Sequence, residues 1–215
     1  MPKIAPALLL LPFSILLVSC PHPSPRTQPQ ADVVEGAYTH VGSGMTFPIT
    51  AGDFRRVTVH KLDDEGLEIG AEYAFAQPQG STFATVYVYP AVAVADVGAP
   101  PGTVSGDGAM LAKKEFEKRK LAILDAHPGT RLISESNVAA TNWGYIRLGR
   151  IATFEYEDTA TGQMLRSDLW VYHFFSVRWA LRYLITSPKT VDTTGFLANF
   201  MAGVPNSVPG EEGTR

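Results

Sequence analysis

A chain of 215 residues with 45% apolar and 18% charged side chains has the composition of one folded domain with appendages, not of a disordered segment. Its net charge of −3 gives no electrostatic reason to bind nucleic acid, which requires clustered Lys and Arg. At this size a core forms without disulfides or a structural metal.

In chain order the first feature is an apolar run from Ala7 to Val18, preceded by Lys3 and closed by Ser19 and Cys20. A membrane-spanning helix needs ~20 apolar residues. This run is shorter and carries Pro12, with Pro6 just before it, so it reads as a secretory leader. Leu17-Val18-Ser19-Cys20 resembles the lipobox of bacterial lipoproteins, with an aliphatic residue three before the cysteine and a small one next to it. The resemblance implies that residues 1–19 are removed and that Cys20 takes a diacylglyceryl group on sulfur and an acyl chain on its new amine. Several chains, at ~0.8 kcal/mol per buried methylene, anchor durably where one does not. The competing reading is a cysteine that happens to end an ordinary signal peptide. Removing residues 1–19 leaves 196 residues at net charge −4, because Lys3 is the leader's only charged side chain. Cys20 is the only cysteine, so acylation leaves no thiol for catalysis, redox switching or zinc. Pro21 stands where an inner-membrane retention signal carries aspartate, which points to the outer membrane, facing the periplasm, in a cell with two membranes.

Residues 20–35 are expected to be the lipidated cysteine and its tether. Pro21, Pro23, Pro25 and Pro29 fall within twelve residues that hold no bulky aliphatic side chain, which describes an extended spacer. Residues 205–215 are expected to be a flexible tail. A single domain then occupies residues 36–204.

Within it, alternation of period two dominates. Val57 to Lys61 is a predicted strand, with Asp63-Asp64-Glu65-Gly66 as its turn. Leu67, Ile69, Ala71, Tyr73 and Phe75 then share one face of the next strand. Thr82 to Tyr89 is a third, rich in β-branched and aromatic residues and ended by Pro90. Ala91 to Gly106 reads as a flexible connection. The one long helical pattern runs from about Asp107 to Ala126, with Ala109, Ala112, Phe116, Ile123 and Leu124 on one side and lysines on the other. Glu115 and Arg119 stand four apart in the favourable order, and Pro128-Gly129 stops the helix. Strands resume over Arg131 to Val138, Tyr145 to Glu157, Met164 to Phe175 and Val177 to Thr186. A short amphipathic helix from about Val191 places Phe196, Leu197, Phe200, Met201 and Val204 together. This order implies an α+β fold, a twisted antiparallel sheet flanked by helices.

Several stretches carry a second resemblance: Met45 to Pro48, Thr85 to Tyr89, His127-Pro128-Gly129, Leu132 to Glu135, Ala152 to Glu155, and Trp179 to Tyr183 with Pro188 beyond. Together they resemble the α/β/α sandwich of PsbP-like extrinsic proteins and small DcrB-like envelope lipoproteins. The resemblance spans nearly the whole ordered domain and implies a non-enzymatic envelope protein, an accessory or binding module. It places no functional residue on this chain.

Each chemistry-bearing group also has a plainer structural role. His22, His40, His60, His127 and His173 never fall two to four residues apart, so no metal-ligand spacing is present. His173 lies in phase with Leu165, Leu169 and Val171 and reads as a hydrogen-bonded, half-buried imidazole. Asp63 to Gly66 lacks the alternate-position oxygens of a calcium loop and reads as a turn. Gly42-Ser43-Gly44 misses the spacing of a nucleophile elbow. Gly106-Asp107-Gly108 lacks the lysine of a phosphate loop, leaving helix initiation by Asp107. Glu155 and Glu157 share a strand face beside Asp158 and read as a solvated strand end rather than an acid–base pair. Trp170, Tyr172 and Phe174 alternate on one strand and Val177, Trp179, Leu181, Tyr183 and Ile185 on its neighbour, while the opposite faces are also apolar. That marks central strands covered on both sides; the alternative is an aromatic groove.

No catalytic, cofactor or metal residue emerges. The expected function is a lipid-anchored, non-catalytic cell-envelope protein that touches the membrane through Cys20 and binds a protein partner or supports an envelope assembly, with no nucleic acid. Two alternatives stay open. One is a carrier of a small apolar or lipid-like ligand between helix and sheet, marked by a cavity of several hundred cubic ångströms. The other is a hydrolase with a nucleophile and base within hydrogen-bond reach, such as a serine beside His173.

Overall fold

A computed structural model describes residues 30–32, 35–91, 106–140, 147–174 and 179–204. The leader, Cys20, most of the tether, the 92–105 connection and the tail lie outside the described residues.

The strands in chain order are β1 (Gln30–Asp32), β2 (Tyr38–Thr39), β3 (Thr46–Phe47), β4 (Thr50–Ala51), β5 (Phe54–Lys61), β6 (Ile69–Phe75) and β7 (Thr82–Pro90). Helix α1 (Gly106–Ala126) follows, then β8 (Arg131–Ala140), β9 (Arg147–Glu157), β10 (Met164–Phe174), β11 (Trp179–Pro188) and helix α2 (Thr194–Gly203). One antiparallel sheet runs in the order β1-β5-β6-β7-β11-β10-β9-β8, with β4 beside β5 and a separate β2–β3 pair. The chain is α+β. Two meanders, β5-β6-β7 and β8-β9-β10-β11, are joined by the pairing of β11 with β7. Chain order then requires α1 to cross the sheet from β7 to the far edge at β8.

That crossing fixes which face α1 covers. Leu169 of β10 pairs with Ala152 of β9 and Leu184 of β11, and Phe116 of α1 packs with Ala152, Phe154, Leu169 and Val171. The alternate residues of the same strands face the other way. Leu181, Tyr183 and Ile185 join Ala84, Val86, Val88, Ile69, Ala71 and Tyr73 in a second core beneath Phe200 of α2. The central strands are therefore apolar on both faces because each face has its own helix. Phe200 is fully buried, with its ring 4.5 Å from Phe54 and 5.4 Å from Tyr73 between centroids. Arg56 is spent on structure: its guanidinium donates to the carbonyls of Phe47 and Gly36, pinning the N-terminal segment to β5.

Several boundaries differ from the sequence expectations: β5 begins at Phe54 rather than Val57, and β8 runs on to Ala140. Gln30–Asp32, assigned to the tether by composition, pair with Lys61 to Val59 as an edge strand; backbone pairing needs no apolar side chain. The closing helix begins at Thr194 rather than near Val191, because Asp192 accepts the amide of Thr194 at 3.0 Å and turns the chain first. β11 extends to Pro188, two residues past Thr186, and pairs there with Leu165.

Close cross-strand approach has its own chemistry. Tyr172 lies opposite Gly149, where an added Cβ would sit 2.7 Å from the tyrosine ring. Tyr87 covers Gly70 in the same way, at 3.0 Å. An aromatic ring thus takes the space a glycine leaves in a strand.

Candidate functional site

The antiparallel order places β7 and β10 on either side of β11, so both run the same way and end together. Tyr89, Ala180 and His173 consequently stand in one row across three strands, the smallest side chain in the middle. Glu68 precedes β6 at the same level. It is set there by a turn in which the Asp63 carboxylate accepts the amides of Leu67 (2.8 Å) and Glu68 (3.0 Å) and Gly66 takes φ 71°. The start of α1 lies over this row. Leu111, Ala112, Glu115 and Arg119 face it at helical spacing. Between them opens a cleft of about 280 Å³ whose lining also includes Pro90 and Ala91.

Its electrostatics are mixed. The Arg119 guanidinium donates to Glu115 at 2.6 Å, approaches Glu68 at 3.7 Å and lies 5.0 Å from the centre of the Tyr89 ring. Burial opposes its charge, but the Glu115 hydrogen bond holds Arg119 above the ordinary guanidinium range. Tyr89 is 5% exposed and its hydroxyl has no hydrogen-bond partner among the described residues. Burial raises its pKa, so the phenol keeps its proton. An orphan buried hydroxyl costs ~1–3 kcal/mol; among the described residues Tyr89 shares this condition with Thr82 Oγ1 and Trp170 Nε1, but it is the one that lines the cleft. Burial pulls the His173 imidazole down to about 4, leaving it neutral near pH 7. One row deeper, Arg182 stacks on Tyr87 with its guanidinium carbon 3.6 Å from the ring centre. Burial lowers its pKa, and its Nε has no partner among the described residues.

The other sequence candidates are dispersed. His40 does meet a serine: its Nδ1 lies 2.8 Å from Ser43 Oγ, and its Nε2 lies 3.0 Å from the Gly66 carbonyl. The Ser43 amide also donates to Nδ1 at 3.2 Å, which makes Nδ1 the acceptor and Nε2 the N–H donor. Ser43 Oγ accepts the Met45 amide in turn. Both side chains are buried and neither lines the clefts described here, so the pair fastens the Val41–Ser43 turn. Trp179 packs its edge on His40 at 5.1 Å. His60 pairs with Glu72 at 3.2 Å, and His127 stacks on Tyr156. Among the described residues no three of His, Asp and Glu gather as metal ligands. Glu155 takes a hydrogen bond from Lys189 at 2.8 Å, which lowers its pKa. Asp158 closes its turn on Thr161. Both are thus held ionised, the opposite of a desolvated general acid. The side chain of Asp107 lies outside the described residues; helix α1 begins one residue before it. Trp170 and Tyr172 are half-buried against the α2-side core, and the side chain of Phe174 lies outside the described residues.

Two other depressions lack a comparable convergence. One, of about 710 Å³, is an open strip along the outer side of α1, lined by that helix alone. The other, of about 410 Å³, lies around Arg56, whose donors are already used.

The cleft residues come from four separate segments; the spacing of Glu115 and Arg119 foretold their ion pair, but not its meeting with Glu68, Tyr89 and His173. One signal of the neighbouring row stood in view: Arg182, which lies outside the cleft lining, interrupts the otherwise apolar stretch from Trp179 to Ile185. No family model matches the chain, and no curated protein matches it at a significant level.

Proposed function

We propose that this chain is a lipid-anchored, non-catalytic cell-envelope protein whose folded domain binds a protein partner at the cleft beneath the start of α1. The anchor is Cys20, and the membrane is the outer membrane, facing the periplasm. The fold is of the PsbP-like sandwich type: a helix on each face of one antiparallel sheet is the arrangement that resemblance implies.

The observation that carries the binding role is the orphan hydroxyl of Tyr89, buried in a cleft that four segments build. A buried polar group without a partner is destabilising in the free protein and is satisfied when something binds. The carrier alternative is weaker. The space between α1 and the sheet is filled by Phe116, Phe154, Leu169 and Val171. The remaining cleft is small and partly charged, whereas apolar ligands take pockets of ~300–1,000 Å³.

The test is a photo-crosslinking residue at Leu111 in intact cells, compared with one at Phe83, which is exposed on β7 away from the cleft. A partner captured from Leu111 alone, and then shown to bind the purified full chain, supports the reading. Equal capture from both sites, or from neither, refutes it.

A further inference from the structure

The outer side of α1 carries charge and apolar surface that the fold does not use. Ala112 and Phe116 turn inward and are buried, while Met110, Lys113, Lys114, Lys118, Leu121 and Ala122 line the open strip on the outside. Met110 and Leu121 are 49% and 54% exposed. They stand three helical turns apart and so lie along one line of the helix. Among the described residues Lys113, Lys114 and Lys118 form no ion pair, whereas Glu117 is held by Lys120 at 2.6 Å. Those four lysines against Glu117 and Asp125 leave two net positive charges on this side of a chain whose total is −3.

The surface that fits is flat, anionic and shallowly apolar. One helix alone lines the strip, so it has no walls to enclose a small ligand or to select the shape of an acidic protein. A bilayer needs no walls. Its anionic headgroups meet the lysines, whose stems run along the helix, and Met110 and Leu121 enter the headgroup boundary. It is also the surface held nearest. Ten residues separate Cys20 from Gln30 of β1, at most ~35 Å of extended chain. Gln30 pairs with Lys61, Lys61 with Ile69 and Ile69 with Val88, one residue before the Tyr89 row that the start of α1 covers. The tether therefore leaves from the end of the sheet at which α1 begins. We infer that the outer side of α1 docks on the anionic phospholipid surface of the membrane that holds Cys20. This rests on the anchor proposed above. The cleft, on the inner side of α1, is left free for the partner.

The test uses the acylated full chain, in which Cys20 is blocked and an introduced cysteine is the one reactive thiol. Ala122→Cys on α1 and Ala198→Cys on α2 are both exposed positions, on helices that cover opposite faces of the sheet. Each variant is labelled with bimane and reconstituted in phosphatidylcholine vesicles, with or without about one third phosphatidylglycerol. A fixed trace of lipid with a headgroup nitroxide is the quencher. On anionic vesicles the label at residue 122 is expected to be quenched at least about threefold more than that at residue 198, and the contrast to vanish on neutral vesicles and in ~0.5 M salt. Each lysine near an anionic surface strengthens docking about fivefold, so Lys113→Gln, Lys114→Gln and Lys118→Gln together are expected to abolish the contrast as well. If that triple variant fails to fold, the salt and neutral-lipid arms decide. Equal quenching at the two positions on anionic vesicles, or a contrast that survives neutral lipid, salt or the triple variant, would overturn the inference. A residue-122 label that responds to soluble polyglutamate and not to anionic vesicles would overturn it too, and assign the strip to an acidic protein. The anchor fails separately. A chain that does not float with neutral vesicles refutes the lipidation on which the docking depends, whereas flotation without the contrast refutes the docking alone.

Discussion

Acidification offers a quantitative test of how deeply His173 is buried. Its ordinary value is 6.5, and burial against β11 and α1 pulls it down to about 4. The unfolded chain takes up a proton on this ring as pH falls through about 6.5, while the folded chain resists until about 4. Stability is therefore fully present above the unfolded value and is lost as pH falls towards the folded one. The gap of about 2.5 pH units, at ~1.36 kcal/mol per unit, gives a total loss of about 3 kcal/mol, and at about pH 5 some 2 kcal/mol is already gone. Urea unfolding followed by tryptophan fluorescence between about pH 7 and pH 4.5 measures it. The comparison is the pH slope of the wild type with that of His173→Gln, not their absolute stabilities, because removing the ring alters packing as well. The variant's slope should be smaller by up to ~1.4 kcal/mol per pH unit. His40, also lowered by burial, contributes to the slope that remains. Equal slopes in the two proteins would refute the reasoning.

Three further outcomes follow from packing and hydrogen bonding. Phe200→Ala should cost about 3–5 kcal/mol in urea unfolding, since the ring is fully buried and holds α2 on Phe54 and Tyr73. Gly149→Ala should cost about 1–3 kcal/mol in the same assay. The new methyl would lie 2.7 Å from the Tyr172 ring and 2.8 Å from the Val138 carbonyl oxygen, and the latter is backbone. Tyr89→Phe should leave thermal stability unchanged or raise it by up to ~1 kcal/mol, because it deletes an unpaired buried hydroxyl and keeps the ring. A destabilised Tyr89→Phe would mean that the hydroxyl is bonded after all.

The strand pattern was legible because alternation and burial agree. Ile69, Ala71 and Tyr73 on β6 and Leu181, Tyr183 and Ile185 on β11 all enter the α2-side core as their period of two requires. The doubly apolar faces of β10 and β11 foretold cover on both sides, and Phe116 with Phe200 provides it. The short strand β1 was not legible, since Gln30, Ala31 and Asp32 pair through backbone alone. The cleft was not legible either. Glu68, Tyr89, Glu115 and His173 converge only through the β7–β11–β10 register and the crossing of α1, neither of which is written in local spacing. The histidine–serine pair illustrates the opposite error. His40 and Ser43 satisfy a distance criterion for catalysis while serving a buried turn, and only the direction of the Ser43 and Met45 amides tells the roles apart.

The most direct measurement of the envelope anchor is intact mass and detergent-phase partitioning of the chain and its Cys20→Ala variant, both expressed in bacteria. The expected result is a wild type that begins at residue 20, carries two or three acyl chains and enters the detergent phase, beside a variant that lacks the acyl mass and stays in the aqueous phase if it is cut at all. A variant with the same cleavage, no difference in mass beyond the substitution and the same partitioning would contradict the anchor, and with it the envelope function built on it.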